Sequence, residues 1–295
     1  MTKIRERSRR MDSILLSKEV WKGSVPIQFS LFVGDLCADI APEPFFVMLP
    51  RASSLFRETK GLIDHFYQYS VCRGALENEL WFSSADGKAL KSNMPVGLLF
   101  DSDCDCRASS GIYDNDDVNE KKIPWCILVH FQNYPYQKII KCTSLEESQS
   151  LFFHSLKQSV FILFGNTRRY NELAIEQQDS LFTSALFGLR EEYYFALKSV
   201  ILDFNDLSEI RSLPIRIVLN GKKSNEQAGP TTTSRTRQVV IPTGEVSQKT
   251  LSDVFMDFEN LTVSNVKIQG ISVPLDSDIH NLWKIFHMPD LFLYV

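Results

Sequence analysis

Two distant segments of this sequence share one pattern, and that repeat constrains the fold more than any other feature. Residues 25–32 and 213–220 each carry an early proline followed by a largely alternating run of apolar and polar residues. Alternation of this kind is typical of a strand with one buried face. Each segment opens a β-rich stretch, and a stretch with only helical patterning separates them. The repeat therefore predicts two similar β modules with helices between them along the chain.

The first module has a predicted order of elements that is known from ubiquitin. After the opening strand comes a second strand, and then a helix indicated by apolar residues at helical spacing from Leu55 to Phe66. A turn is predicted at Asp86-Gly87, and the acidic, polar stretch 101–122 is predicted to be a loop. Two strands, a helix and further strands form the β-grasp order. The other strands of this prediction are 45–50, 80–82, 96–100 and 126–131.

The middle of the chain has helical patterning from a capping box to about residue 204. In that box the hydroxyl of Thr143 and the carboxylate of Glu146 are predicted to satisfy amide groups at the helix start. Breaks near Gly165 and at Gly188 divide the stretch into two or three helices.

The second module again begins with a strand. After Leu213 the polar stretch 221–236 is predicted to be a hairpin loop. Thr250 is predicted to cap one helix, and apolar residues at helical spacing from Ile279 to Phe286 predict another. The remaining strands are predicted at 238–241, 266–271 and 291–295.

We therefore predict an α+β protein in which two ubiquitin-like β-grasp domains flank a helix-rich domain in the sequence, with a short N-terminal helix before them. The basic start of the chain lacks the apolar region of a secretory signal, so it is interpreted as a leader before that helix, with weak transit-peptide character as the alternative. The predicted segments are 1–23 for the leader and helix, 24–142 for the first ubiquitin-like domain, 143–211 for the helix-rich domain and 212–295 for the second ubiquitin-like domain.

Composition argues against some classes of function. A formal net charge of −4 and a pI near 5.8 argue against a dedicated nucleic-acid binder, so no nucleic-acid partner is predicted. No run of 18 apolar residues is present, so the sequence predicts no membrane span. The six cysteines are scattered without a secretory signal, and they are predicted to be free thiols of a cytoplasmic protein.

Few patterns in the sequence indicate catalytic or metal chemistry. Cys104-Asp105-Cys106 lacks a second ligand pair at zinc-site spacing. Cys126 and His130 lie four residues apart on a predicted strand, which separates them by roughly 13 Å and is too far for a thiolate–imidazole pair. No Gly-rich phosphate loop, Gly-x-Ser-x-Gly or His-Glu-x-x-His motif occurs. We predict no catalytic residue, no cofactor and no metal site.

Lys157 is the polar residue with the most informative surroundings. Phe153 and Phe161 lie four residues before and after it, on the same side of the predicted helix. Spacing alone favours a lysine whose stem covers apolar surface while its ammonium group stays in water.

Several separated motifs resemble the autophagy protein 5 family, in the right order from about Val20 to the end of the sequence. The motifs are VWKG at 20–23, LPR at 49–51, MPVGLLFD at 94–101, PWCILVHF at 124–131 and PDLFL at 289–293. The resemblance implies a scaffold rather than an enzyme. It also implies two ubiquitin-like domains around a helix-rich domain, the same architecture that the patterns predict.

The resemblance further implies a covalent partner. In that family a lysine of the helix-rich domain is joined by an isopeptide bond to the C-terminal glycine of the ubiquitin-like autophagy protein 12, with autophagy E2 proteins as transient partners. The conjugate binds the coiled-coil autophagy protein 16. It then acts as an E3-like factor for transfer of autophagy protein 8 to phosphatidylethanolamine on the preautophagosomal or phagophore membrane. Lys157, within Ser155-Leu156-Lys157-Gln158, occupies the position of the family's acceptor, and this reverses the interpretation from spacing alone.

Two positions depart from the family pattern. Ser92 follows Leu90-Lys91 where the family often has a tryptophan, and Asn281 stands at a tryptophan position of the last helix, with Trp283 two residues on. Either change is expected to affect partner surfaces.

Two other functions stay open on sequence grounds. The first is a ubiquitin-like adaptor that binds partners without being conjugated. The second is a thiol hydrolase that uses Cys126 or Cys142.

Overall fold

The computed structural model describes most of the chain, in two compact units. The units are Ser24–Phe152, and Met1–Gly23 together with Phe153–Val295. The predicted domain boundaries stay predictions. The described residues are 15–38, 40–70, 79–110, 123–201, 209–225, 229–242, 249–255 and 266–295, with only the backbone described at 105–110, 220–225 and 229–235.

The first unit, Ser24–Phe152, is built on a four-stranded sheet with a parallel central pair. The alternation at 25–32 produces β1 (Ser24–Leu31), in which every second side chain is buried. β1 pairs antiparallel with β2 (Phe45–Pro50) and parallel with β4 (Trp125–His130), and β4 pairs antiparallel with β3 (Trp81–Ser84). The resulting order, β2-β1-β4-β3, confirms the predicted β-grasp module.

A helix packs into the core of this sheet at the predicted place. A single 3-10 turn, Leu55–Glu58, leads into α2 (Thr59–Phe66). Leu62 and Phe66 of α2 are fully buried in the same core as the inward side chains of β1 and β4.

The segment after Pro95 is a helix, so the strand predicted at 96–100 is wrong. This helix, α3 (Val96–Ser110), also replaces the first part of the loop predicted at 101–122, and residues 111–122 lie outside the described residues. Proline favours the first turn of a helix, and this was the available sequence signal for α3.

Tertiary contacts complete the start of α3. The amides of Val96 and Gly97 have no partner within the helix, and they donate to the carbonyls of Ser53 and Arg51 at 2.9 and 2.8 Å. The Arg51 guanidinium also donates to the Gly97 carbonyl and pairs with the carboxylate of Asp101. Residues distant in the sequence therefore supply the hydrogen-bond partners for the first turn of α3. Local sequence patterns do not reveal these partners.

The second unit contains a helical region. Residues 15–21 form α1, before the first strand as predicted. The helical stretch after residue 143 breaks at Gly165 and Gly188, which both adopt the left-handed conformation that favours glycine, with φ of 72° and 70°. Its described part, to residue 201, gives four helices where two or three were predicted. They are α4 (Leu145–Phe164), which begins in the first unit, α5 (Arg168–Asn171), α6 (Ile175–Phe187) and α7 (Arg190–Leu197).

The capping box of α4 is displaced by one residue from the prediction. Glu147, not Glu146, accepts the hydrogen bond from the Thr143 amide, at 2.7 Å. The Ser144 hydroxyl accepts from the Glu147 amide at 3.2 Å, so Ser144 is the capping residue.

A second sheet repeats the arrangement of the first. β5 (Ser212–Asn225) pairs antiparallel with β6 (Gly229–Pro242) and parallel with β9 (Leu293–Tyr294), in the order β6-β5-β9. The hairpin loop predicted at 221–236 is therefore wrong over its described part, because the two strands stay paired from Ser212–Pro242 to Asn225–Gly229.

The single strand predicted at 266–271 is instead a short antiparallel hairpin. Its two strands, β7 (Lys267–Ile268) and β8 (Ile271–Ser272), have two residues each. Gln269 and Gly270 have φ of 51° and 79°, the positive values that a tight hairpin turn requires. The predicted short helices are present as α8 (Leu251–Phe255) and α9 (Ile279–Phe286).

Candidate functional site

Lys157 lies on the exposed side of α4. Its neighbours Leu156 and Val160 are fully buried, and they lie roughly 60–100° around the helix from Lys157, so they anchor the adjoining side of α4. The ammonium nitrogen of Lys157 lies 5.7 Å from the centre of the Tyr170 ring on α5. An ammonium group over an aromatic face is stabilised by about 0.5–1 kcal/mol at an exposed position, which restricts the free lysine side chain without burying it.

The two phenylalanines at four-residue spacing have different environments. Phe153 is half-buried, and its ring centre lies 6.2 Å from that of Phe182 on α6. Phe161 remains 55% exposed. The helix surface beside Lys157 is therefore packed against α6 at Phe153 and exposed to solvent at Phe161.

Five polar side chains form a hydrogen-bonded cluster at the turn of α4 that carries Lys157, and two of them belong to that turn. It consists of Ser155, Gln158, Arg216, Asp290 and Tyr294, and we call it the Arg216–Asp290 cluster. Asp290 Oδ2 accepts hydrogen bonds from the Ser155 hydroxyl at 2.6 Å and the Tyr294 hydroxyl at 2.7 Å. Arg216 Nη1 lies 3.2 Å from the same oxygen, and Arg216 Nη2 donates to Gln158 Oε1 at 3.0 Å.

Sequence reasoning missed both Tyr170 and the Arg216–Asp290 cluster as neighbours of Lys157. The cluster residues come from α4, β5 and the end of the chain, so only tertiary structure brings them together. The single available signal was the motif at 289–293, which contains Asp290.

The cysteine candidates lack the surroundings of a reactive thiol. Burial, with the nearby Glu147 charge, raises the pKa of Cys142 to about 12, so this thiol stays protonated at neutral pH. The Cys126 sulfur lies 3.7 Å from the Pro124 carbonyl. His130 shares a hydrogen bond of 2.8 Å with Ser83, and burial lowers its pKa to about 4.

The acidic residues near Cys104 contact other groups. Asp101 pairs with Arg51, and Asp103 accepts a hydrogen bond of 2.9 Å from the Trp125 indole. Among the residues that the structure describes, no three metal-ligating side chains come together. No helix in the described ranges combines the length and the apolar character needed to cross a bilayer.

The two positions that depart from the family pattern have ordinary structural roles. Ser92 is buried, and its hydroxyl donates to the Leu90 carbonyl at 3.3 Å. Asn281 is exposed in the first turn of α9, where its backbone amide donates to the Asp278 carboxylate. Trp283 is fully buried, with its indole donating to the Leu291 carbonyl at 2.9 Å.

Comparison with known proteins identifies relatives over nearly the whole chain. Three domain models of one family match in order: the UblA domain of autophagy protein ATG5 at residues 20–131, its alpha-helical bundle region at 145–201 and its UblB domain at 212–295. Autophagy protein 5 of Arabidopsis thaliana is 30% identical over 60% of this chain, and the match spans 47% of that relative. The match to the Dictyostelium discoideum protein spans 63% of that relative.

Other relatives match from end to end. Autophagy protein 5 of Pichia angusta is 23% identical over 97% of this chain and 96% of its own length. The crystal structure of Kluyveromyces marxianus Atg5 superposes with a TM-score of 0.72 at 20% identity, covering 95% of this chain and 97% of that one. The fold is therefore the Atg5 fold. With its two ubiquitin-like domains and helical region matched in order, this chain belongs to the autophagy protein 5 family.

Proposed function

We propose that this protein is a scaffold of the autophagy conjugation system and that Lys157 is its acceptor for the ubiquitin-like autophagy protein 12. Family membership supports the scaffold role. The observation that favours Lys157 is its placement: it is exposed on a helix whose adjoining side is fully buried at Leu156 and Val160, and an aromatic ring restricts its ammonium group.

The proposed step joins two chains and releases a thiol. The Lys157 ammonium first loses a proton to water or a base, because only the neutral amine is nucleophilic. The amine then attacks the thioester carbonyl of the partner's C-terminal glycine, which an E2 cysteine carries. A C–N bond forms as the C–S bond breaks, the sulfur leaves as a thiolate that takes up a proton, and the nitrogen loses its second proton. Alignment of the amine with the carbonyl is the main contribution this chain makes.

The further partners follow from the same proposal. The conjugate binds autophagy protein 16 and promotes transfer of autophagy protein 8 to phosphatidylethanolamine as an E3-like, non-catalytic component. It acts in the cytoplasm and peripherally on the phagophore membrane, through its partners.

A reconstituted transfer reaction tests the assignment of Lys157. Purified chain is mixed with autophagy protein 12, its E1 and E2 enzymes and ATP, and the products are separated on a denaturing gel. Lys157→Arg keeps the charge but removes the primary amine, so we expect the higher-mass band to disappear while the thermal unfolding midpoint stays unchanged.

Lys198→Arg is the matched control. Lys198 is also exposed and also lies over an aromatic ring, 5.8 Å from that of Phe195. We expect this variant to form the conjugate at the wild-type level. An undiminished band with Lys157→Arg would contradict the assignment.

A second candidate is an adaptor of the same family that binds partners without conjugation. The observation that favours it is the outer face of β2 at the sheet edge, where Phe46 and Met48 are 62% and 58% exposed. Exposed apolar side chains on one face are typical of protein-binding surfaces. A wild-type chain that yields no higher-mass band in the reconstituted reaction would favour this function.

A further inference from the structure

We infer that the Arg216–Asp290 cluster positions Lys157 for transfer by holding the helical turn from Ser155 to Gln158 in one orientation. The inference rests on the proposed function. Within it, Arg216 and Asp290 are positioning residues that act through the backbone of α4 and do not touch the reacting groups.

The hydrogen bonds converge on a single carboxylate oxygen. Asp290 Oδ2 accepts from the hydroxyls of Ser155 and Tyr294 and lies within reach of Arg216. Arg216 Nη1 also contacts both hydroxyl oxygens, at 2.8 Å for Ser155 and 2.7 Å for Tyr294. Burial and the Asp290 charge raise the pKa of Tyr294 well above its usual value, so this hydroxyl remains a donor.

The Arg216 side chain is fixed from a second direction. Its guanidinium carbon lies 3.6 Å from the centre of the Phe292 ring, and the Phe292 amide donates to the other Asp290 oxygen at 3.2 Å. The Arg216 and Asp290 side chains are only 16% and 9% exposed. A buried ion pair often contributes little net stability, because both charges lose water, and geometric specificity is one reason to keep such a pair.

Helix geometry explains how the cluster can act on Lys157 without contacting it. Ser155 and Gln158 are three residues apart, so they lie on the same side of α4. At about 100° per residue, Lys157 points roughly 100–160° away from both. The cluster therefore binds one side of the turn, and Lys157 projects from the other. Rotation of this turn would carry the amine along an arc.

The expected consequence is a loss of transfer rate rather than of folding. A misplacement of about 1 Å can cost on the order of 100-fold in rate at a rigid site. The lysine side chain is long and adapts partly, so we expect a smaller loss, roughly 3–10-fold, when α4 is released from the cluster.

The test measures single-turnover transfer from a preformed thioester of autophagy protein 12 on its E2, with increasing concentrations of this chain. Ser155→Ala combined with Gln158→Ala removes both links to α4 and leaves the Arg216–Asp290 pair intact. For this double variant we expect the transfer rate at saturation to fall roughly 3–10-fold. The half-saturating concentration and the thermal unfolding midpoint should stay nearly unchanged.

Two further variants separate positioning from a general effect of substitution. Gln158→Glu keeps an acceptor for Arg216, so we expect near wild-type rates. Ser150→Ala is the matched control, an exposed serine of the same helix that lies outside the cluster. Gln158→Ala alone is the milder variant if the double variant unfolds, and it should lower the same rate.

The outcomes distinguish this inference from the proposed function. A wild-type saturating rate in the double variant, or a loss confined to the half-saturating concentration, would overturn the positioning role while conjugation at Lys157 stands. If the wild-type chain forms no bond at Lys157, the proposed function fails and the inference falls with it.

Discussion

At the scale of single residues, burial decides which side chains of this chain are available as nucleophiles. Cys142 is buried and its pKa is raised to about 12, so its thiolate form is scarce at neutral pH. Lys157 is exposed on a firmly packed helix. The two environments argue against a thiol hydrolase that uses Cys142 and favour an amine acceptor.

His287 provides a prediction about acid stability. It is completely buried, Nδ1 donates to the Met288 carbonyl at 3.1 Å, and Nε2 accepts from the Tyr194 hydroxyl. Burial, with the nearby Arg190 charge, lowers its pKa to about 4. Between pH 6.5 and 4 the unfolded chain therefore binds more protons than the folded chain. The stabilising contribution is complete above pH 6.5 and is lost as the pH falls towards 4.

The measurement is the free energy of unfolding by urea as a function of pH. A shift of this size corresponds to a loss of on the order of 3 kcal/mol between pH 6.5 and 4. We expect His287→Gln to reduce the slope of that part of the curve, to which His130 also contributes because its pKa is likewise lowered to about 4. We expect His154→Gln, at an exposed position on α4, to leave the slope unchanged. An identical slope in His287→Gln would contradict this account of the buried ring.

At the scale of elements, α1 is expected to be held to α7 mainly by one aromatic side chain. The Trp21 ring is 9% exposed and lies 5.0 Å from that of Tyr193 and 5.8 Å from that of Tyr194, centre to centre. Truncation of a buried aromatic residue typically costs about 3–5 kcal/mol. We expect Trp21→Ala to lose roughly 3 kcal/mol of unfolding free energy and hydrogen-exchange protection in residues 15–21.

Leu15→Ala is the control for that experiment, because Leu15 lies on the same helix and is 57% exposed. We expect a change within about 0.5 kcal/mol. Equal effects of the two substitutions would show that the aromatic contacts do not dominate.

The elements also show where sequence patterns are reliable. The alternating strand β1 and the helix α9 are found as predicted, because each buries one continuous face that its own sequence specifies. The start of α3 depends instead on residues distant in the sequence, since the carbonyls of Arg51 and Ser53 accept hydrogen bonds from its first amides. Periodicity alone could not reveal that partnership.

At the scale of the whole molecule, the repeat in the sequence corresponds to two sheets with the same central arrangement. β1 lies between β2 and β4 in the first, and β5 lies between β6 and β9 in the second, with one antiparallel and one parallel partner each. The repeat predicted this symmetry but no chemistry. The candidate site lies on α4, outside both sheets.

The candidate site was only partly predictable from the sequence. The position of Lys157 followed from a family motif, and its exposure fits the predicted helix rim. Tyr170, Arg216 and Asp290 became neighbours of that turn only through tertiary packing. Ser155 of α4 and Asp290 are 135 residues apart in the sequence, so no local pattern indicates their contact.

Mass spectrometry of the protein isolated from cells is the most direct test of the central claim. The sample is denatured and digested, and branched peptides are sequenced to locate the modified lysine. The account predicts a branched peptide in which the C-terminal glycine of autophagy protein 12 is bonded to Lys157. A branch at a different lysine, with Lys157 recovered unmodified from the conjugate, would contradict it.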